Sequence, residues 1–204
     1  MTLKTLPAVL AAYTLCGIAA HATSVFSFDN DSLGTATTFT DTVNGLSATF
    51  SSNADPGGFV VYPSIFQTLT GNVLGDPGPA GQDGLTLSVN FSQALSAVTL
   101  DFATSDFFTP SPLTLNAYYN GTLVGTVTQT GQFLSGASFP EGEIALEAAA
   151  FNSFTVSSTA MDFAVDNITV APTPEPASFC LLMLGLTVTG GAALWRRRRQ
   201  DLRG

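Results

Sequence analysis

From Thr23 to Thr173 the chain contains no Lys, Arg, His or Cys. All six basic residues lie outside this interval, at Lys4, Arg196, Arg197, Arg198, Arg199 and Arg203; the single His is His21, and the two Cys are Cys16 and Cys180. Of the fifteen acids, all but Glu175 and Asp201 fall inside it. A segment of this kind has no disulfide or internal cation to hold it together, so its fold must rest on an apolar core and on hydrogen bonds.

The same absences exclude several kinds of chemistry. Without His or Cys the segment has no Ser-His-Asp or Cys-His nucleophile pair, and no imidazole or thiolate site for zinc, copper or haem. Without Lys or Arg it has no footprint for nucleic acid, and its acidic field repels phosphate. Carboxylate chemistry, oxygen-ligated cations such as calcium, and binding through rings and hydroxyls remain.

The pattern inside the interval is that of an all-β chain. Leu85, Leu87, Val89 and Phe91 alternate with Thr86, Ser88 and Asn90, as do Leu113, Leu115, Ala117 and Tyr119 with their polar neighbours, which is the period of a half-buried strand. Asn120-Gly121 is a favoured pair for a tight hairpin and predicts a returning strand over Thr122 to Thr130. Further strands are expected at 25–28, 46–51, 59–62, 97–102, 143–147, 153–157 and 163–170. In the last, Phe163 and Val165 have the opposite parity to Ile168 and Val170, which predicts a bulge near Asp166-Asn167. Turn signals every eight to twelve residues point to an antiparallel β-sandwich or jelly roll. The stretch Ile144 to Ala150 reads equally as a short helix or as a strand or loop edge, and Gly75 to Gly84 reads as a surface loop.

The ends carry a different pattern. Lys4 followed by the apolar run from Leu6 to Ala20, then Ala20-His21-Ala22, has the layout of a signal peptide cleaved after Ala22. At the other end, Pro174-Glu175-Pro176 precedes Ala177 to Trp195, nineteen residues without a charge, and then Arg196 to Arg199. Such a run at about 1.5 Å rise per residue can cross a hydrocarbon core about 30 Å thick. Four arginines fix their end in the cytoplasm, so the segment ahead of the span is expected outside. The expected domains are therefore a signal helix over 1–22, a β-sandwich ectodomain over 23–171, and a tail over 172–204 with its transmembrane helix at 177–195.

Pro174, Glu175, Pro176, the apolar span and Arg196, Arg197, Arg198 and Arg199 together resemble the PEP-CTERM sorting tail. That resemblance implies a Gram-negative exported protein, held in the inner membrane as a precursor. Its tail would be removed by exosortase, a membrane protease-transpeptidase, before release or attachment at the cell surface. It also implies a setting of exopolysaccharide and biofilm matrix. The alternative is a permanent single-pass anchor. Phe26-Ser27-Phe28-Asp29, the stretch Gly45 to Phe50, the stretch Val98 to Phe102 and the stretch Phe163 to Ile168 resemble galactose-binding-like, or carbohydrate-binding, jelly rolls.

That second resemblance implies a structural calcium joining the first-strand region to the last strand, here through Asp29, Asp31 and Asp166 with backbone carbonyls. The alternative is that Asp29-Asn30-Asp31 forms a turn bonded to its own backbone. Asp106-Phe107-Phe108, beside Thr109-Pro110-Ser111-Pro112, offers rings that either stack on sugars or tuck into the core. Glu141, Glu143 and Glu147 could pair with Asp101 in a glycosidase. Three functions follow in order: a non-enzymatic surface or matrix protein, a calcium-dependent carbohydrate-binding module or adhesin, and a carboxylate glycosidase. Exopolysaccharide is the partner expected of the first two, with no nucleic acid.

Overall fold

The computed structural model describes residues 23–54, 58–76 and 84–173. The expected signal peptide with Ala20 and Ala22, the Pro-Glu-Pro motif, the apolar span and the Arg block lie outside the described residues. Among the described residues no helix is long and apolar enough to cross a membrane. These described residues form one compact unit.

The described residues are all-β, with eleven strands among them: β1 (Ser24–Phe26), β2 (Phe39–Val43), β3 (Leu46–Ser52), β4 (Val60–Pro63), β5 (Asn72–Gly75), β6 (Thr86–Thr104), β7 (Pro112–Tyr119), β8 (Thr122–Thr130), β9 (Gln132–Phe133), β10 (Pro140–Ser158) and β11 (Phe163–Pro172). All pair antiparallel in the order β4-β5-β11-β6-β10-β7-β8, with β3 on β6, β2 on β3, β9 on β10 and β1 on β11.

Two long strands let one ladder make both layers of a sandwich. The first part of β6 pairs with β3 and with the last part of β10; its second part pairs with β11 and with the first part of β10. Between these parts the β6–β10 register breaks at Glu147/Phe151 and Phe151/Ser153, and such breaks bend strands. Leu87, Val89 and Val156 of one half then share a single buried cluster with Leu100, Phe102 and Val165 of the other. Rings fill one end of it. Phe39 stacks on Phe50 at 5.0 Å, Phe28 meets Phe50 edge-on at 5.5 Å, and Phe91 lies 5.7 Å from Phe154.

The stretch Ile144 to Ala150 is strand. Ile144 and Leu146 are buried while Ala145 and Glu147 are exposed, a period of two that matches pairing with β6 and overrides the helix propensity of the alanines. The pairs expected as separate strands at 85–91 and 97–102, and at 143–147 and 153–157, are each one bent strand. The bulge at Asp166-Asn167 is present: the register shifts between Asp166 and Thr169, and Asn167 takes φ 50°. Asn120 and Gly121 both take positive φ in the β7–β8 turn, and Asn44-Gly45 does the same between β2 and β3.

The outer face of the layer made by β4, β5, β11 and β6 is covered by the loop from Ser64 to Gly71. Leu69, Val73, Ala103 and Ala164 form a second, smaller buried cluster there, with Tyr62 and Phe66 packed against it. Glu141 fastens this loop. Its buried carboxylate accepts the backbone N–H of Gln67 at 2.8 Å, and both the backbone N–H and the hydroxyl of Thr68 at 2.6 Å. Ser64 Oγ closes the loop on itself by donating to the Leu69 carbonyl.

Candidate functional site

Two features lie on this outer face. One is a group of carboxylates around the β11 bulge. Register places Asp101 of β6 opposite Asp166 of β11 on one side and opposite Glu143 of β10 on the other. Asp166 is buried, and its Oδ1 accepts the Asn167 N–H at 2.8 Å; Asn167 Nδ2 donates to Asp101 Oδ2 at 3.0 Å. Asp29, carried by the chain just after β1, accepts the Asn72 N–H at 2.9 Å and sits against Gly71. Burial pushes the Asp166 carboxyl up to about 6; Asp29 and Asp101 push the same way, and N–H groups of Asn167 and Thr70 oppose them.

Of the expected calcium set, Asp29 and Asp166 are thus brought within electrostatic reach of each other. Asp31 stands differently: its carboxyl is raised by burial and then by Asp41, on β2. Among the described residues no three Asp, Glu, His or Cys side chains converge as a metal-binding group. A calcium ion at the bulge would therefore take at most two carboxylates and complete its shell with carbonyls, amide oxygens or water, as a flexible oxygen-seeking cation can. The residues fit that chemistry, because a buried carboxylate with acidic neighbours and no base in the domain is the arrangement a divalent cation relieves.

The other feature is a cleft of about 370 Å³. Tyr62 from β4, Phe66 from the covering loop and Phe139 from the β9–β10 connection line it with aromatic residues, and Phe163 of β11, whose ring packs on Phe59 in the core, lines it too; Asp76, Thr104, Ser105 and Asp162 are its polar residues. Phe139 holds Phe66 at 5.8 Å on one side and Phe107 at 5.4 Å on the other. Thr104 is 1% exposed and its Oγ1 has no hydrogen-bond partner. Burial pushes the Tyr62 hydroxyl up to about 12, with Asp162 and then Asp76 adding to the shift, so it remains protonated and a donor.

Phe107 and Phe108 are 68% and 94% exposed, so the Asp106–Pro112 loop presents its rings outward rather than to the core. The loop is held by Asp106, whose carboxylate accepts the Ser111 N–H at 2.7 Å and the Ser111 hydroxyl at 2.9 Å. The sequence pointed to these two rings. It gave no sign that Tyr62, Phe66, Thr104, Phe139 and Asp162 would join them, because they come from separate elements. Of the expected glycosidase carboxylates, Glu141 is spent on the loop, Glu143 stands opposite Asp101 in the β6–β10 ladder, and Glu147 stands opposite Ala97; none of the four lines the cleft.

The fold defines an antiparallel β-sandwich domain. A cleaved adhesin domain of Lys-gingipain is similar in fold, with a TM-score of 0.50 at 12% identity over 74% of this chain and 99% of that one. Lower similarity links the chain to a mannan-recognising carbohydrate-binding module (TM-score 0.41, 9% identity, 57% and 81% covered) and a family 6 carbohydrate-binding module (TM-score 0.39, 15% identity, 60% and 87% covered). No curated protein matches the chain. Residues 172–199 match the PEP-CTERM protein-sorting motif. The chain therefore carries the recognition signal for exosortase, which implies an exported, exosortase-processed surface protein of a Gram-negative bacterium.

Proposed function

We propose that this chain is a non-enzymatic surface or extracellular-matrix protein: a β-sandwich displayed outside the cell, associated with exopolysaccharide, and freed from an inner-membrane precursor by exosortase. The observation that carries the reading is the sorting motif at 172–199, with Pro174, Glu175 and Pro176 at one end of an uncharged run and Arg196 to Arg199 at the other. The arginines resist translocation and the uncharged run holds the chain at fixed depth, so the Pro-Glu-Pro segment meets a membrane-embedded protease at the outer face.

The test is an epitope placed in the ectodomain, followed by blots of membrane and extracellular fractions from a host with its own exosortase. The wild type is expected to lose about three kilodaltons, roughly thirty residues of ordinary mass. Replacing Pro174, Glu175 and Pro176 by Ala leaves insertion intact and blocks that loss. If wild type and the triple variant both stay full-length in the membrane, the chain is a plain anchor and the proposal is wrong.

A second reading, a calcium-dependent carbohydrate-binding module or adhesin, is favoured by the buried Asp166 with Asp29 and Asp101 close by. In this reading the cation would tie the segment after β1 to the β11 bulge. It would steady the same outer face that carries the cleft.

A further inference from the structure

We infer that the cleft between the covering loop and the β10–β11 connection is a binding site for an uncharged, hydroxyl-rich glycan; this rests on the carbohydrate-binding reading above and gives it a place and a ligand class. Four observations lead there. Tyr62, Phe66 and Phe139 wall the cleft with ring surface, and Phe107, tilted against Phe139 with ring centroids 5.4 Å apart, extends that surface into solvent. Such faces suit the C–H faces of sugar rings. Asp76 and Asp162 bring carboxylates, and Tyr62 brings a hydroxyl held protonated. A polyol, whose every hydroxyl both donates and accepts, meets acceptor and donor alike.

Thr104 is among the residues that line the same cleft, and its Oγ1 is buried with no hydrogen-bond partner. Buried hydroxyls in native folds are normally satisfied, and a ligand hydroxyl or a ligand-held water would satisfy this one. Lastly, Ile65, Phe107 and Phe108 are 70%, 68% and 94% exposed. Ile65 lines the cleft and Phe107 stands against its Phe139, and exposed apolar groups beside a polar-rimmed cleft mark an interaction surface.

Charge sets the class of ligand. The cleft contributes two carboxylates, and residues 23–173 hold no Lys, Arg or His. A uronate, sulfate or phosphate group would enter a site with acids and no base, so anionic polysaccharides are repelled. A purely apolar ligand would take the polar rim of the cleft out of water while offering it no hydrogen bonds. A neutral sugar chain avoids both penalties, and the volume of about 370 Å³ accommodates a short stretch of one.

The test is titration calorimetry of the full chain in mild detergent against cellohexaose, laminarihexaose, mannohexaose and galactotriose, with an alginate hexamer as the anionic probe. At least one neutral oligosaccharide is expected to bind and the alginate hexamer is not. Phe107→Ala removes an exposed ring without touching the core, and Thr104→Val keeps its shape while deleting the orphan hydroxyl. Each is expected to weaken binding roughly five- to tenfold, the effect of one stacking or hydrogen-bonding contact, whereas Phe133→Ala, an exposed ring on β9, leaves affinity unchanged. Neutral binding that is indifferent to Phe107 and Thr104 overturns the cleft assignment while leaving the carbohydrate reading in place. Alginate binding that is sensitive to them overturns the ligand class. Absence of binding by every oligosaccharide to folded protein removes the carbohydrate reading and this site with it.

Discussion

Asp166 stands opposite Asp101 in the β6–β11 ladder, two carboxylates on adjacent strands in a domain without a cation. Like charges placed opposite each other in a sheet are destabilising. The bulge softens the conflict by inserting Asn167, which donates its backbone N–H to Asp166 and its side-chain amide to Asp101. It does not remove it, because Asp166 remains buried with its carboxyl raised to about 6.

This makes stability pH-dependent in a direction opposite to that of most paired carboxylates. The folded value of about 6 lies above the ordinary 3.8, so the native state binds more protons than the unfolded chain between these values. The contribution of Asp166 is complete below about pH 4 and lost as pH rises through 6, amounting to about 3 kcal/mol. Asp166→Asn keeps an oxygen for the Asn167 N–H and has no charge to bury. Urea unfolding at pH 4.5 and 7.5, in chelator, should show the variant gaining on wild type as pH rises; a constant difference between the two would contradict this account.

Calcium should reverse the same effect. A cation that binds the native state alone adds about 2.7 kcal/mol at a hundredfold excess over Kd. Thermal melts of the full chain should therefore rise with calcium relative to chelator. The rise should fade below about pH 6, where Asp166 takes up a proton. Asp29→Asn and Asp166→Asn are expected to abolish the shift, and Asp31→Asn tests whether Asp31 belongs to the set. Identical midpoints with calcium and chelator would take calcium out of the account.

Glu141→Ala removes the acceptor of three donors from the loop of Gln67 and Thr68. Hydrogen bonds to a charged group contribute more than neutral ones, so a loss of about 2–3 kcal/mol is expected. Amide exchange should quicken first in residues 64–71, which carry Ile65 and Phe66 to the cleft. Uniform exchange across the domain would mean that the carboxylate does not pin this loop in particular.

Gly71→Ala probes the contact between the loop and Asp29. Gly71 takes φ +73°, and a Cβ there would fall 1.7 Å from Asp29 Oδ1. The left-handed conformation alone disfavours Ala by about 1–2 kcal/mol. The displaced carboxylate would also leave the Asn72 N–H it now accepts. Lowered stability together with a lost calcium response is expected. A variant as stable as wild type would show that the loop relaxes freely here.

Several elements were legible in the chain because their cause is local. The alternation from Leu85 to Phe91 requires one buried face, whatever that face packs on. Asn120-Gly121 specifies a tight hairpin because both residues tolerate positive φ, and Asn44-Gly45 carried the same instruction for β2 and β3, although the flanking Phe39–Val43 has no buried residue to announce it. The parity change between Val165 and Ile168 betrayed the bulge before any partner strand was known. Strand β5 gave no such sign, since Val73, Leu74 and Gly75 are buried in succession, between the core on one side and the covering loop on the other.

The sequence by itself determined the class of the domain and the chemistry open to it: alternation and turn residues act over a few positions, and an absent His, Cys, Lys or Arg cannot be supplied by folding. It also carried the sorting motif, which is read as a contiguous string. Tertiary structure alone decided which acids meet and which rings surround a cleft. Asp29 reaches Asp166 because β1 pairs with β11, and Tyr62, Thr104, Phe139 and Asp162 converge because β4, β6, β10 and β11 bring their ends to one face. Such neighbours are fixed by long-range register and by the bends of β6 and β10, and no short stretch of sequence holds the energy that sets them.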